Sequence, residues 1–272
     1  LPIYANNSTA AGSGYSATYT ENGTPVSVAD TDISITDVDS ATLTGATITL
    51  SNAQAGDVLA VGSLPSGITA SVVGNTVTLS GSASLANYQS AIRAITFSSS
   101  SENPSTTPRS ITVVVNDGQN NSLPATATIN VVAVNDAPVG VADAFIGANS
   151  VVEGTTVVRG NVLANDTDVD SPVLTVAQFA TNSGATATTA NGSNSITTAL
   201  GGTVVMNADG TFTYTAPVRN HGDNISDVDS FVYRATDGSA NSAWTTVSIN
   251  VADSAPVANN DVDSVGIGGT IN

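Results

Sequence analysis

The sequence writes the same unit twice. The stretch from Ile111 to Gly118 (ITVVVNDG) lines up with that from Phe231 to Gly238 (FVYRATDG). Ile-Asn-Val follows each, at Ile129 to Val131 and at Ile249 to Val251, so both matches share an offset of 120 residues. Ala137-Pro138-Val139 recurs as Ala255-Pro256-Val257, with an aspartate at the same interval beyond each, Asp143 and Asp261. Upstream, Glu21-Asn22-Gly23-Thr24 corresponds to Glu153-Gly154-Thr155, and each precedes an Asp-Val-Asp-Ser, at Asp37 and at Asp168. A repeated pattern has to bury the same core twice, so one large fold is excluded in favour of tandem units. The expected organisation is a first repeat over residues 1–134, a linker at 135–138, a second repeat over 139–254 and the start of a third over 255–272.

Between these landmarks the hydrophobic period is two. In the run Thr245 to Val251, Val247, Ile249 and Val251 face one way and Thr246, Ser248 and Asn250 the other, as a strand with one dry face requires. Gly74-Asn75, Asp117-Gly118, Asp209-Gly210 and Asp237-Gly238 separate such runs as hairpin turns do. An all-β fold with roughly seven strands per unit follows. The one helical stripe, Leu85, Tyr88 and Ile92 after Ser84, predicts a short turn-rich insertion over Ser84 to Ala94. The Gly/Thr/Ser/Asn stretch from Thr181 to Gly202 predicts at most a strand pair with a loose tip.

With 22 acidic residues against five arginines, the net charge is −17, which argues against a nucleic-acid partner. The acids also cluster, at Asp37/Asp39, Asp166/Asp168/Asp170 and Asp227/Asp229. Carboxylates held ~5 Å apart at an effective dielectric of ~20 repel by about 3 kcal/mol per pair, which calls for a cation or raised pKa values. A divalent metal is the simpler answer. There is no cysteine, so disulfides and thiolate sites are excluded. No apolar run nears the ~20 residues of a membrane span, and no direct membrane insertion is expected. The opening Leu1-Pro2-Ile3 reads as the start of an excised fragment.

Taken in order, Glu21-Asn22, Asp37-Val38-Asp39, Val115-Asn116-Asp117-Gly118, Val134-Asn135-Asp136-Ala137-Pro138, the stretch Asn161 to Asp170 and Asp229-Ser230-Phe231-Val232-Tyr233 resemble the cadherin-like repeats of giant bacterial surface adhesins with RTX tails. The resemblance covers nearly the whole chain. It implies two Ig/cadherin-like Greek-key β-sandwiches placed end to end, with calcium bound where one repeat follows another. Carried over residue by residue, it assigns a calcium set of Glu21, Glu102, Asn135, Asp136, Asp168, Asp170 and Asp237, with Asp143 as a further ligand. Asn165 and Asp166 serve either as ligands or as loop formers. A second set, Glu153, Asp227, Asp229, Asp253 and Asp261, is expected to fill only in part, because Ser254 stands where Asp136 stands in the first. Asp37, Asp39 and Asp117 would form half of a site shared with a preceding repeat. Calcium suits such donors, since it takes six to eight oxygens in irregular geometry; zinc prefers nitrogen and sulfur, and the chain has one histidine.

The remaining polar features have plainer readings. An Asp-Val-Asp-Ser is also a serviceable turn without any metal. His221, among Asn220, Gly222 and Asp223, reads as a loop residue and not a catalytic base. Thr-rich alternations such as Thr47-Ile48-Thr49 read as ordinary outward strand positions, and Trp244, Tyr214 and Tyr233 as core or edge packing. Arg93, Arg109, Arg159, Arg219 and Arg234 read as isolated surface ion pairs. The expectation is a calcium-rigidified extender of a bacterial cell-surface adhesin, extracellular and not an enzyme, whose partners are neighbouring repeats of the same chain. The alternative is an adhesive module that recognises a carbohydrate or a surface protein.

Overall fold

The computed structural model describes residues 3–4, 14–219 and 227–255. His221, Asp261 and almost all of the expected third repeat lie outside them. The chain divides into two compact units, Leu1–Asp136 and Ala137–Asn272. The first contains β1 (Ile3–Tyr4), β2 (Tyr15–Thr20), β3 (Val26–Ser27), β4 (Ser34–Ile35), β5 (Thr42–Leu50), β6 (Asp57–Val61), β7 (Thr69–Val73), β8 (Thr76–Ser84), α1 (Leu85–Arg93), β9 (Ile95–Ser99), β10 (Arg109–Asn116) and β11 (Ala125–Val132). The second contains β12 (Asp143–Phe145), β13 (Val151–Val152), β14 (Thr156–Arg159), β15 (Thr175–Ala180), β16 (Thr188–Thr189), β17 (Ser195–Thr197), β18 (Thr203–Met206), β19 (Phe212–Thr215), β20 (Asp227–Thr236) and β21 (Thr245–Ala252).

In the first unit one sheet runs β2-β11-β10-β5-β8-β7 and the other β3-β9-β6. Alternation fixes which face is dry. Along β10, Ile111, Val113 and Val115 are buried and the residues between them are half-buried; along β5, Leu43, Ala46, Ile48 and Leu50 point the same way. Phe97 and Leu59 close the core from the smaller sheet, with the Tyr19 ring edge-on to Phe97 at 5.5 Å. The second unit repeats the plan with β12-β21-β20-β15-β16, β13 also on β21, opposed by β14-β19-β18-β17. Phe145, Phe212 and Phe231 meet edge to face in its core. This is the all-β sandwich architecture that the alternation predicts.

The first strand of each unit pairs in parallel with its last. Tyr15 through Thr20 register against Ala127 through Val132, and Asp143 through Phe145 against Val247 through Ile249. The closing hairpins are duplicates. Ser122 and Val115 exchange a backbone and a side-chain hydrogen bond, and Ser242 and Ala235 do the same. Gly118 and Gly238 take the left-handed conformation at equivalent turn positions, φ 101° and 98°, which favours glycine.

Between β8 and β9 lies α1, a true helix of nine residues where the stripe suggested only a turn-rich insertion. Ser84 caps it by accepting the Asn87 backbone N–H at 3.2 Å. Tyr88, Ala91 and Ile92 are fully buried, and the Tyr88 hydroxyl donates to the Gly81 carbonyl at 2.7 Å. Burial against the core stabilises a helix too short to persist alone. Ser84→Ala is expected to cost the first unit about 1 kcal/mol in denaturant unfolding, from the orphaned N–H. In the stretch from Thr181 to Gly202 the structure places the short strands β16 and β17.

Candidate metal centres

At the end of the first unit where the chain leaves β11, three acids converge. The Glu21 N–H donates to the Val132 carbonyl at 2.9 Å, extending the parallel ladder by one residue. The side chain is thereby turned inward, 4 % exposed, and its Oε2 accepts the Val134 N–H at 2.7 Å. The other oxygen, Oε1, is buried with no hydrogen-bond partner. Asn22 takes φ 56°, closing the turn, and its amide donates to Glu102 Oε2 at 2.8 Å. Glu102 comes from the loop between β9 and β10, and Asp136 follows β11. Carboxylate oxygens of Glu21, Glu102 and Asp136 all lie within 4.8 Å of one another.

A second group, Asp37, Asp39 and Asp117, is equally close. The Asp37 Oδ1 accepts the Asp39 N–H at 3.3 Å, the bond that makes Asp-Val-Asp-Ser a turn. The Asp37 Oδ2 is buried and unpartnered. Asp117 sits in the β10–β11 hairpin, where bonds from the backbone N–H of Asn120 and of Gln119 hold its carboxyl below the ordinary range. The two groups therefore stand at opposite ends of β11, whose eight residues span roughly 25 Å. Both donor sets consist of carboxylate oxygen, and each includes an oxygen buried without a hydrogen. That combination suits a hard cation such as calcium.

The second unit builds the same loops. Asp168 Oδ1 accepts the N–H groups of Asp170 and Ser171, both at 2.8 Å, and its Oδ2 is buried without a partner. Asp237 Oδ1 accepts Ser239 and Ala240 at 2.6 and 2.7 Å, as Asp117 does in the first hairpin. Glu153 repeats Glu21, with its N–H on the Ala252 carbonyl at 3.0 Å and its side chain buried. Asn135 turns its amide to the Asp136 carbonyl at 2.7 Å, and Asp253 is exposed just beyond β21.

Asp143 and Asp166 are gathered around Tyr233, whose hydroxyl lies 2.9 Å from Asp166 Oδ2 and 2.8 Å from the Val162 carbonyl. Asp166 Oδ1 also accepts the Val141 N–H at 2.7 Å. Burial, then the Asp166 charge, pushes Asp143 up to about 6. Burial raises Asp166 as well, and burial followed by Asp166 raises Tyr233. A carboxyl whose folded pKa exceeds its unfolded value destabilises the fold when ionised. In chelator, lowering the pH from 7 toward 4 is therefore expected to stabilise the second unit, by about 1–2 kcal/mol after solvent screening. Thermal unfolding across that range, set beside Asp143→Asn, whose curve should be flatter, checks the sign.

Two expectations need correction. Asp229 does not serve an end of the unit. It is 1 % exposed in β20, in phase with Phe231 and Tyr233, and its Oδ2 accepts the hydroxyls of Tyr214, at 2.6 Å, and of Thr198. Nor is Arg109 a surface residue. It is fully buried and forks onto Asp57, with Nε to Oδ2 at 2.6 Å and Nη2 to Oδ1 at 3.3 Å, both side chains shut off from solvent. Its place in phase with Ile111, Val113 and Val115 is the sequence signal for that burial. Asp227 pairs with Arg219 at 2.8 Å in a partly exposed ion pair of the kind expected for the arginines. Trp244 is half-buried with the Arg234 guanidinium 4.5 Å over its ring.

Residues 135–253 match the family model described as Bacterial cadherin-like domain. Among solved structures, the chain is similar to extracellular cadherin domains 3–6 of protocadherin gamma B2, with 15 % identity, 89 % of this chain, 50 % of that chain and a TM-score of 0.34. It is also similar to repeats EC22–24 of mouse cadherin-23, with 12 % identity, 92 % and 65 % coverage and a TM-score of 0.38. Against repeats EC1–2 of human mucin-like protocadherin the values are 14 % identity, 89 % and 97 % coverage and a TM-score of 0.37. The chain spans about half the length of the first of these. No curated protein matches it. Among the described residues, no helix is long and apolar enough to cross a membrane. The second sandwich matches the bacterial cadherin-like domain over residues 135–253, and the first sandwich repeats its loops and closing hairpin.

Proposed function

We propose that the chain is an extender segment of a bacterial cell-surface adhesin, whose repeats take up calcium at their ends and serve cell adhesion and biofilm formation by reach and stiffness. The observation that carries the reading is the pair of three-carboxylate groups at the two ends of one sandwich. An acidic cluster at either end of a repeat is what a head-to-tail array needs to share cations along its length. Bound calcium would cancel the mutual repulsion of each group and satisfy Glu21 Oε1 and Asp37 Oδ2. The chain's role is then mechanical, outside the cell, with neighbouring repeats as its partners and no reaction to catalyse. The single tryptophan, already covered by Arg234, does not supply the open aromatic platform that a carbohydrate-binding module would favour.

Calorimetric titration tests this. Extracellular modules bind calcium at about 10⁻⁴ to 10⁻³ M, so heats should saturate in the millimolar range. Asp136→Ala should remove one class of heats and Asp37→Ala another. Small-angle scattering should show the particle longer and stiffer in calcium than in excess chelator. Equal dimensions in both conditions would count against the stiffening role.

A further inference from the structure

The buried polar residues of the two repeats occupy the same place with opposite charge. In the cross-strand register Arg109 faces Ile129, and Asp229 faces Ile249, so the two polar residues are equivalent under the 120-residue offset. Each reaches from the larger sheet to a partner on the opposing one. Arg109 on β10 grips Asp57 at the start of β6; Asp229 on β20 takes the Tyr214 hydroxyl of β19 and that of Thr198, just beyond β17. The closing hairpins otherwise share one plan, although Phe231 and Tyr233 stand where the first has the smaller Ile111 and Val113. Their apolar phase, the Ser122 and Ser242 bonds and the glycine turns coincide, so hydrophobic patterning alone does not tell β10–β11 from β20–β21.

Tandem repeats misassemble by exchanging such equivalent elements. We propose that the two interior contacts act as addresses, keeping each closing hairpin in its own sandwich during folding. A β20–β21 hairpin seated on the first unit would bury Asp229 against Asp57, two carboxylates with no cation between them. A β10–β11 hairpin in the second unit would bury the Arg109 guanidinium against two hydroxyls, with no carboxylate in reach. Both exchanged arrangements strand charge in a dry interior, whereas the native ones satisfy it. The same opposition acts within one chain and between copies.

The test uses the two-repeat chain refolded from guanidinium, with introduced cysteines as its only thiols, since it has none of its own. Thr49 of β5 registers against Thr112 of β10, whose equivalent in β20 is Val232. Thr49→Cys with Thr112→Cys reports the native pairing by oxidation, and Thr49→Cys with Val232→Cys reports the exchanged one, within or between chains. In the parent background the native cross-link should dominate. Exchanging the addresses, Arg109→Asp with Asp229→Arg, should raise the exchanged cross-link by at least about tenfold, at the expense of the native pair. If that variant does not refold, the apolar set Asp57→Leu, Arg109→Leu, Tyr214→Phe and Asp229→Leu decides, and it should raise the exchanged product too. The proposal is overturned if the exchanged cross-link is as abundant as the native one in the parent, or unchanged in whichever variant refolds.

Discussion

Calcium at 10 mM is expected to raise the melting temperature of the first repeat by about 15–25 °C over the same chain in excess chelator. The two acidic groups, each filled at ~100 times a dissociation constant of ~10⁻⁴ M, contribute about 2.7 kcal/mol apiece. For a unit of this size one kcal/mol moves the midpoint by about 3–5 °C. Glu21→Ala or Asp136→Ala should remove roughly half of the shift, and Asp37→Ala with Asp39→Ala the other half. Magnesium at equal concentration should do far less, because it demands a near-octahedral shell and gives up water reluctantly. Scanning calorimetry measures this directly. No calcium-dependent shift, or an equal shift with magnesium, would refute the calcium assignment.

Arg109→Leu is expected to destabilise the first repeat by about 3–5 kcal/mol, because it leaves the Asp57 carboxylate buried without its partner. Adding Asp57→Leu should recover most of that loss, since an apolar pair of similar bulk replaces two desolvated charges at little net cost. Recovery by the second substitution separates a stranded charge from a mere packing defect, which a further truncation would worsen. The only tryptophan lies in the second repeat, so its fluorescence follows that unit, while far-ultraviolet circular dichroism sees both. Denaturant unfolding should therefore show an early circular dichroism transition in Arg109→Leu, with the Trp244 transition unmoved. A coincident shift of both signals would mean that the two units unfold together.

Local signals were legible where the chemistry is local. The closing hairpins and the alternation in β21 each announce themselves within a dozen residues and the structure builds them as read, while the Ser84 cap with its Leu85/Tyr88/Ile92 stripe marks α1, a fuller helix than the expected turn-rich insertion. The Glu21/Glu102/Asp136 group spans most of a repeat, so no spacing rule finds it. It was reached through the resemblance and through strand topology, which puts the end of the first strand beside the loop before β10. The interior arginine was misread for the opposite reason. Its alternation phase pointed inward, but a charge is assigned outward by default, and its partner Asp57 is 52 residues away with nothing local to mark the pair. The resemblance puts Asp229 among the calcium ligands at an end of its repeat, whereas β20 carries it into the interior beside Tyr214.

The parallel seam between β2 and β11 determines how a repeat would meet a pull along its length. Force entering at the start of β2 and leaving at the end of β11 runs along the two strands in opposite directions, so the hydrogen bonds linking Tyr15–Thr20 to Ala127–Val132 are loaded together in shear. An antiparallel edge pulled from one end would instead give way one bond at a time, like a zip. The repeat thus meets tension with its whole seam at once, and β12 and β13 against β21 give the second repeat the same grain.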